Sequence, residues 1–262
     1  MLDTSASVEF HPSSQGRLIT LDAPYDLPAT LPMDGIAGIQ LKRPQNEELV
    51  DRIQHLSEAN LAAFRMIRNS FANSVLQPAP KEGPRQPPSI SSLADKSLAT
   101  LLEHEATELA QIFCNITGAP NARIWWPQQR AGEFHIDGGR NNVPTARSWR
   151  MTCALSGRQS VWHTFRYKPG DDIETRQGGF MTFPLIPEAQ QGRPNIDYFE
   201  AEGPLIFRTN SLGSGLFHKT PTDDDGLRTE RAQLQRLMVT IDARAPKDGP
   251  CSVAGLCPAP CQ

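Results

Sequence analysis

The sequence predicts an α+β protein in which an N-terminal helical layer packs on one sheet of a C-terminal β-barrel. Two observations carry this prediction. Two stretches before Gly118 repeat their apolar residues at helical spacing, and beyond Gly118 the chain turns to short apolar runs separated by turns. The 23 prolines among 262 residues add that many loops join these elements.

Residues 1–34, rich in Ser, Pro and Asp, read as an irregular, strand-poor lead-in. "GIAGIQLKR" (35–43) reads as a short strand carrying Ile36, Ile39 and Leu41. "NEELVDRIQHLSEANLAAFRMIRNSF" follows as a helical stretch, with Leu49, Ile53, Leu56, Leu61 and Phe64 at helical but imperfectly phased spacing. The prolines of "LQPAPKEGPRQPPSISS", about 76–92, exclude a continuous helix and predict a loop. "SLADKSLATLLEHEATELAQIFCNITG" predicts a second helix with Leu98, Leu101, Leu102, Leu109, Ile112 and Phe113 on its apolar face and Gly118 as its stop. The runs "ARIWW", "GEFHID", "WRMTCAL", "SVWHTF", "GGFMTFPL", "GPLIFRT", "GLFHKT" and "LMVTIDA" then have the spacing of a sandwich or barrel. The expected organisation is one domain over 35–245, with the helical layer at 35–118 and the barrel core at 119–245. A Cys- and Pro-rich tail occupies 246–262.

The bulk charge excludes some partners. With 26 basic and 29 acidic residues the net charge is −3, so the basic face that nucleic acid requires is not expected. No apolar run reaches the roughly 20 residues of a membrane helix, and "MLDTSASVEFHPSSQ" lacks the regions of a signal peptide. A soluble, cytoplasmic protein is the expectation. Cys114 and Cys153 lie inside apolar patterns and read as buried thiols. Cys251, Cys257 and Cys261 crowd the tail, where a disordered end, a metal-acquiring site or a redox-sensitive lid are all open readings.

The segment "GEFHIDGG" (132–139) places a histidine and an aspartate one residue apart. On a strand, His135 and Asp137 share one face while Phe134 and Ile136 share the other. His11, His55 and His104 fall in the lead-in or on charged helix faces, which leaves His163 and His218 to complete a metal site. His135, Asp137 and His218 supply two imidazoles and a carboxylate, a set that leaves positions open on Fe(II). Next, "RLMVTIDA" sets Leu237, Val239 and Ile241 on one face and Arg236, Met238 and Thr240 on the other. If the aliphatic face packs on the helices, Arg236 projects into the barrel and implies a carboxylate partner. Arg231 and Arg228 are rivals for that role.

His-x-Asp, then about eighty residues, then a histidine and an arginine heading the next strand resembles the order in Fe(II)/2-oxoglutarate-dependent oxygenases. The resemblance implies a double-stranded β-helix, a cupin-like jelly roll. "SGRQSVWHT" (156–164) looks like the segment that presents a hydroxyl to 2-oxoglutarate in the taurine-dioxygenase branch, which puts Ser160 in the hydroxyl's place. "FHID", "QSVWH", "FHKTP" and "RLMVTID" also resemble the uncharacterised bacterial domain-of-unknown-function family 1826, with Ser160 where that family has threonine. What the resemblance implies is Fe(II) on His135, Asp137 and His218. It further implies 2-oxoglutarate held by Arg236 (or Arg231) and Ser160, with hydroxylation of a small molecule or peptide and release of succinate and carbon dioxide. A carboxylate at 137 speaks against halogenation, where relatives have a small residue.

Plainer readings stand beside these. His135 and His218 can be hydrogen-bonded core residues, the three arginines a solvated face opposite Asp223–Asp225 and Glu230, and Ser160 a turn residue. A non-catalytic metal-binding protein for zinc or iron homeostasis is the alternative function. It would need the triad but not a cation at 236.

Overall fold

The computed structural model describes residues 8–12, 17–23, 36–68, 90, 93–119, 121–126, 149–163, 175–178, 181–184, 198–209, 216, 218–221 and 236–244. Among these the fold is α+β and mostly sheet. Its strands are β1 (Val8–Pro12), β2 (Arg17–Leu21), β3 (Ile36–Leu41), β4 (Asn121–Trp125), β5 (Trp149–Ala154), β6 (Val161–His163), β7 (Thr175–Gly178), β8 (Met181–Pro184), β9 (Tyr198–Glu200), β10 (Leu205–Arg208), β11 (His218–Lys219) and β12 (Met238–Arg244). Its helices are α1 (Glu47–Gln54), α2 (Glu58–Arg68) and α3 (Lys96–Thr117). The described residues of 1–44, 131–151 and 158–222 form one compact unit, and those of 45–130, 152–157 and 223–262 a second. β5 runs from the first into the second.

In the first unit β1, β2, β3 and β10 lie in that order. β1 and β2 form an antiparallel ladder, β2 and β3 pair in parallel, and β10 runs antiparallel to β3. The 1–34 lead-in is therefore not strand-poor. "RLITL" buries Leu18, Ile19 and Leu21 completely, and each such side chain contributes about 1.5–3 kcal/mol on leaving water. These N-terminal strands also explain why the expected barrel is not closed among the described residues: β10 takes β3 as its neighbour, a strand that precedes the helices.

A second sheet of the first unit has the order β11-β6-β9, both pairings antiparallel. Trp162 from this sheet meets Leu18, Leu205 and Phe207 from the other in one apolar cluster with Ala201 and Leu216. The two sheets thus face each other across a common interior. The chain between them turns tightly at Gly203, where an added Cβ would collide with the Leu41 carbonyl oxygen and come within 2.9 Å of that of Arg43. The neighbouring Leu41 amide donates to the Pro204 carbonyl at 2.9 Å.

In the second unit, α3 packs on β4 and β12 and also contacts α1. This is the expected helical layer on a sheet. Asp95 caps α3 by accepting from the Leu98 amide at 3.0 Å, and Gly118 ends it in the left-handed region with φ 66°, as its position in the sequence predicts. The single helical stretch expected over 46–71 is two helices instead. α1 stops at His55, and Ser57 restarts the helix by accepting from the Asn60 amide at 3.3 Å, which accounts for the broken phase of Leu56 and Leu61. Cys114 and Cys153 are buried thiols, as expected.

A cleft of about 420 Å³ opens where α1 ends and α2 and α3 begin, lined in part by Asp51, Arg52, His55, Asn60 and Asp95. Its polar groups bind one another. Arg52 Nη2 donates to both Asp95 carboxylate oxygens at 2.8 and 2.9 Å, and the Asp95 amide donates to Asn60 Oδ1 at 3.3 Å.

Two predictions follow from this packing. Gly203→Ala should destabilise the protein by roughly 1–3 kcal/mol in denaturant unfolding, because backbone rather than a pliable side chain stands in the way. The Leu98 amide, then Arg52, hold the Asp95 carboxyl below its ordinary value of 3.8. A depressed carboxylate contributes stability that is present above that ordinary value and lost as pH falls through the lowered one. Asp95→Asn should therefore lessen the loss of stability on going from about pH 5 to pH 2; an unchanged acid limb would show that the cap does not couple to folding.

Candidate functional site

The β11-β6-β9 sheet sorts its side chains by register. His218 lies opposite Trp162, and Trp162 opposite Phe199, so these three share one face. Lys219, Val161 and Glu200 share the other. The first face is inward, because Trp162 belongs to the interior cluster and the His218 ring lies 4.1 Å, centroid to centroid, from that of Phe207 on the facing sheet. On the outward face Glu200 binds Arg158 at 2.6 Å, and desolvation holds the Lys219 ammonium below its ordinary pKa.

His218 is buried, and its Nδ1 lies 3.1 Å from the Leu216 carbonyl oxygen. A carbonyl can only accept, so this contact places the proton on Nδ1. In the neutral ring the lone pair then resides on Nε2, the tautomer that a metal-ligating histidine adopts when a carbonyl orients it.

Ser160 is buried just before β6, and its carbonyl accepts from the Ala201 amide at 2.9 Å, continuing the β6–β9 ladder by one pair. Two residues from Trp162, it falls on the inward face. The structure thus brings two of the expected site residues, His218 and Ser160, onto one face as diagonal neighbours, a relation that sets residues roughly 7–8 Å apart.

The inward face of the opposing sheet holds Leu18, Gly38 and Phe207 in one row and Thr20, Gln40 and Leu205 in the next. Arg208, which follows Phe207, points to the opposite face. There its Nε donates to the Ile36 carbonyl at 3.0 Å and its guanidinium lies 4.6 Å from the centre of the Trp149 ring. This buried arginine escapes the sequence reading, since "GPLIFRT" looks like a strand end reaching solvent.

Arg236 belongs to the second unit. It is buried immediately before β12, with Nη2 4.0 Å from Met238 Sδ on its own face. The alternate residues Leu237, Val239 and Ile241 are completely or almost completely buried, in keeping with the expected aliphatic face. What positions Arg236 is Gly157, whose φ of 82° is the left-handed region and whose missing side chain leaves room for the arginine stem. A Cβ there would stand 3.2 Å from both Cβ and Cγ of Arg236. The Gln45 side-chain amide secures this turn by donating to the Ala154 and Gly157 carbonyls, each at 2.7 Å. Gly157 and Gln45 are positioning residues that no motif announces. Leu155 adds a bond to the Leu237 carbonyl at 2.7 Å.

His135, Asp137 and Arg231 lie outside the described residues, as do Arg228, the 138–147 loop, Cys251, Cys257 and Cys261. Among the described residues no three His, Cys, Asp or Glu gather as a set of metal ligands, and no helix is long and apolar enough to cross a membrane. Compared with models of known protein families the chain matches none, and compared with curated proteins it finds no match either.

Gly157→Ala should cost stability, by roughly 1–3 kcal/mol, through both the positive φ and the crowding of Arg236. Because Gln45 holds the same turn, Gln45→Ala combined with Gly157→Ala should cost less than the sum of the two single changes. Strict additivity in unfolding measurements would mean that the two do not act on one turn.

Proposed function

We propose that this protein is an Fe(II)- and 2-oxoglutarate-dependent oxygenase of the double-stranded β-helix class, most simply a hydroxylase, with His135, Asp137 and His218 as the metal ligands. The observation that carries the reading is His218: buried on an inward face between two sheets, with its Nδ1 proton directed to the Leu216 carbonyl. The two facing sheets of the first unit, and Ser160 beside His218, support it as well.

When bound, Fe(II) with 2-oxoglutarate supplies an oxidant made from dioxygen, with succinate and carbon dioxide as co-products. The residues of the chain bind and orient. The Leu216 carbonyl fixes the orientation of the His218 ring, and Asp137 brings the negative charge that a divalent cation requires. Arg236 is assigned the far carboxylate of 2-oxoglutarate. A guanidinium binds carboxylate through two parallel hydrogen bonds, and this one is buried, where such bonds are strongest. Ser160 would add a hydroxyl donor, and Arg231 is the alternative cation.

The test is an anaerobic titration of the metal-free protein with Fe(II) and then 2-oxoglutarate, following the weak visible charge-transfer band of the chelate. The band should form with one equivalent of metal and vanish in His218→Ala. In Arg236→Ala it should need roughly thirty- to a hundredfold more 2-oxoglutarate while Fe(II) still binds, the loss expected for one charge-assisted pair. Stoichiometric metal binding without the band in the wild-type protein would sink the oxygenase reading and favour a metal-handling protein.

A further inference from the structure

Gly38 stands inside β3, buried between Ala37 and Ile39. A glycine within a strand weakens it, and a frequent reason for one is the close approach of another group. The register also slips by one residue here. Arg17 of β2 pairs with Ile36 but Leu18 pairs with Gly38, so Ala37 is the extra residue. The slip brings Gly38 to the inward face, in the row between Leu18 on β2 and Phe207 on β10.

The space left by the missing side chain is taken by Leu216, which is completely buried in one cluster with Leu18 and Phe207. A Cβ on Gly38 would stand 3.2 Å from Leu216 Cδ2, 3.2 Å from Leu18 Cδ1 and 3.3 Å from the Ile206 carbonyl oxygen, tighter than ordinary van der Waals contact. The carbonyl of the same Leu216 lies 3.1 Å from His218 Nδ1. Phe207, directly opposite Gly38, meets the His218 ring at 4.1 Å between centroids. One glycine therefore borders both residues that confine the imidazole: it lies beneath Leu216 and beside Phe207.

We propose that Gly38 is a positioning residue for His218. By leaving room for Leu216 it sets where the Leu216 carbonyl lies, and so keeps the imidazole proton on Nδ1 and the lone pair on Nε2. A side chain at position 38 would press on three neighbours that do not yield equally. The Ile206 carbonyl belongs to the β10 backbone, and Leu18 is completely buried within β2. Leu216 lies just before β11, outside the ladder, so it is the one that gives way, and its carbonyl moves with it. That the histidine held in this manner takes a metal rests on the reading above.

The experiment follows the imidazole rings of the full chain by long-range proton–nitrogen correlation NMR, with the His218 signals identified by their loss in His218→Gln. The metal-free wild-type protein should show His218 as one tautomer, protonated on Nδ1. Gly38→Ala should replace it by a mixture of both tautomers and weaken binding of Co(II), used in place of Fe(II), roughly tenfold, as loss of an orienting partner does. Leu216→Ala, which empties the seat and leaves β3 untouched, should do the same. Leu216→Val added to Gly38→Ala shortens the side chain that the new methyl group meets, and should restore the single tautomer. Gly118→Ala, in the second unit, costs stability through its positive φ and should leave the His218 signals and the Co(II) affinity as in the wild type. A wild-type ring protonated on Nε2, unchanged signals in Gly38→Ala or Leu216→Ala, no recovery in the double variant, or the same change in Gly118→Ala overturns the proposal. A tautomer that shifts in Gly38→Ala, in protein that takes up no Co(II), supports the positioning role while removing the metal reading.

Discussion

The bond between His218 Nδ1 and the Leu216 carbonyl is the constraint on which the candidate site turns. It joins two residues only two apart in the chain, yet its effect depends on distant strands. Pairing with Trp162 sets the face on which the imidazole lies, and Phe207 from the opposing sheet closes over the ring. A histidine so confined loses little further freedom on taking a ligand and keeps one tautomer. That is pre-organisation in a literal sense: the cost of ordering the ring is met by folding.

The second unit treats Arg236 in a comparable way. A guanidinium is buried only where its stem has room and its surroundings are fixed. Gly157 makes the room by lacking a side chain, and Gln45 fixes the turn by binding two of its carbonyls at once. The helical layer belongs to this arrangement: Gln45 lies directly before the Asn46 cap of α1, so the segment that starts the helix also secures the turn beneath the arginine.

Much of the local structure is legible in particular residues. Gly118 marks the end of α3 because it tolerates positive φ, whereas the start at the Asp95 cap is set by a side-chain bond that the apolar spacing does not report. The alternation in "LMVTIDA" predicts the buried face of β12 for the same kind of local reason. Five-residue strands such as β1 and β2 are less visible, since "VEFHP" carries a proline and the run after it is too short for its period to stand out. "TRQG" and "YFE" in β7 and β9 are weaker still. The break between α1 and α2 shows in the sequence only as the imperfect phase of one helical stretch, and the cap bond from the Asn60 amide to Ser57 explains it.

By itself the sequence determined the stop of α3 at Gly118, the aliphatic face of β12 and the residue types of a metal site, because each depends on chemistry within a few neighbouring positions. The tertiary structure alone decided that β3 stands beside β10, that His218 and Ser160 share an inward face, and that Leu216 packs against Gly38. The physical reason is range. Periodicity reports which face of a segment avoids water, whereas pairing and burial depend on which distant segment covers that face.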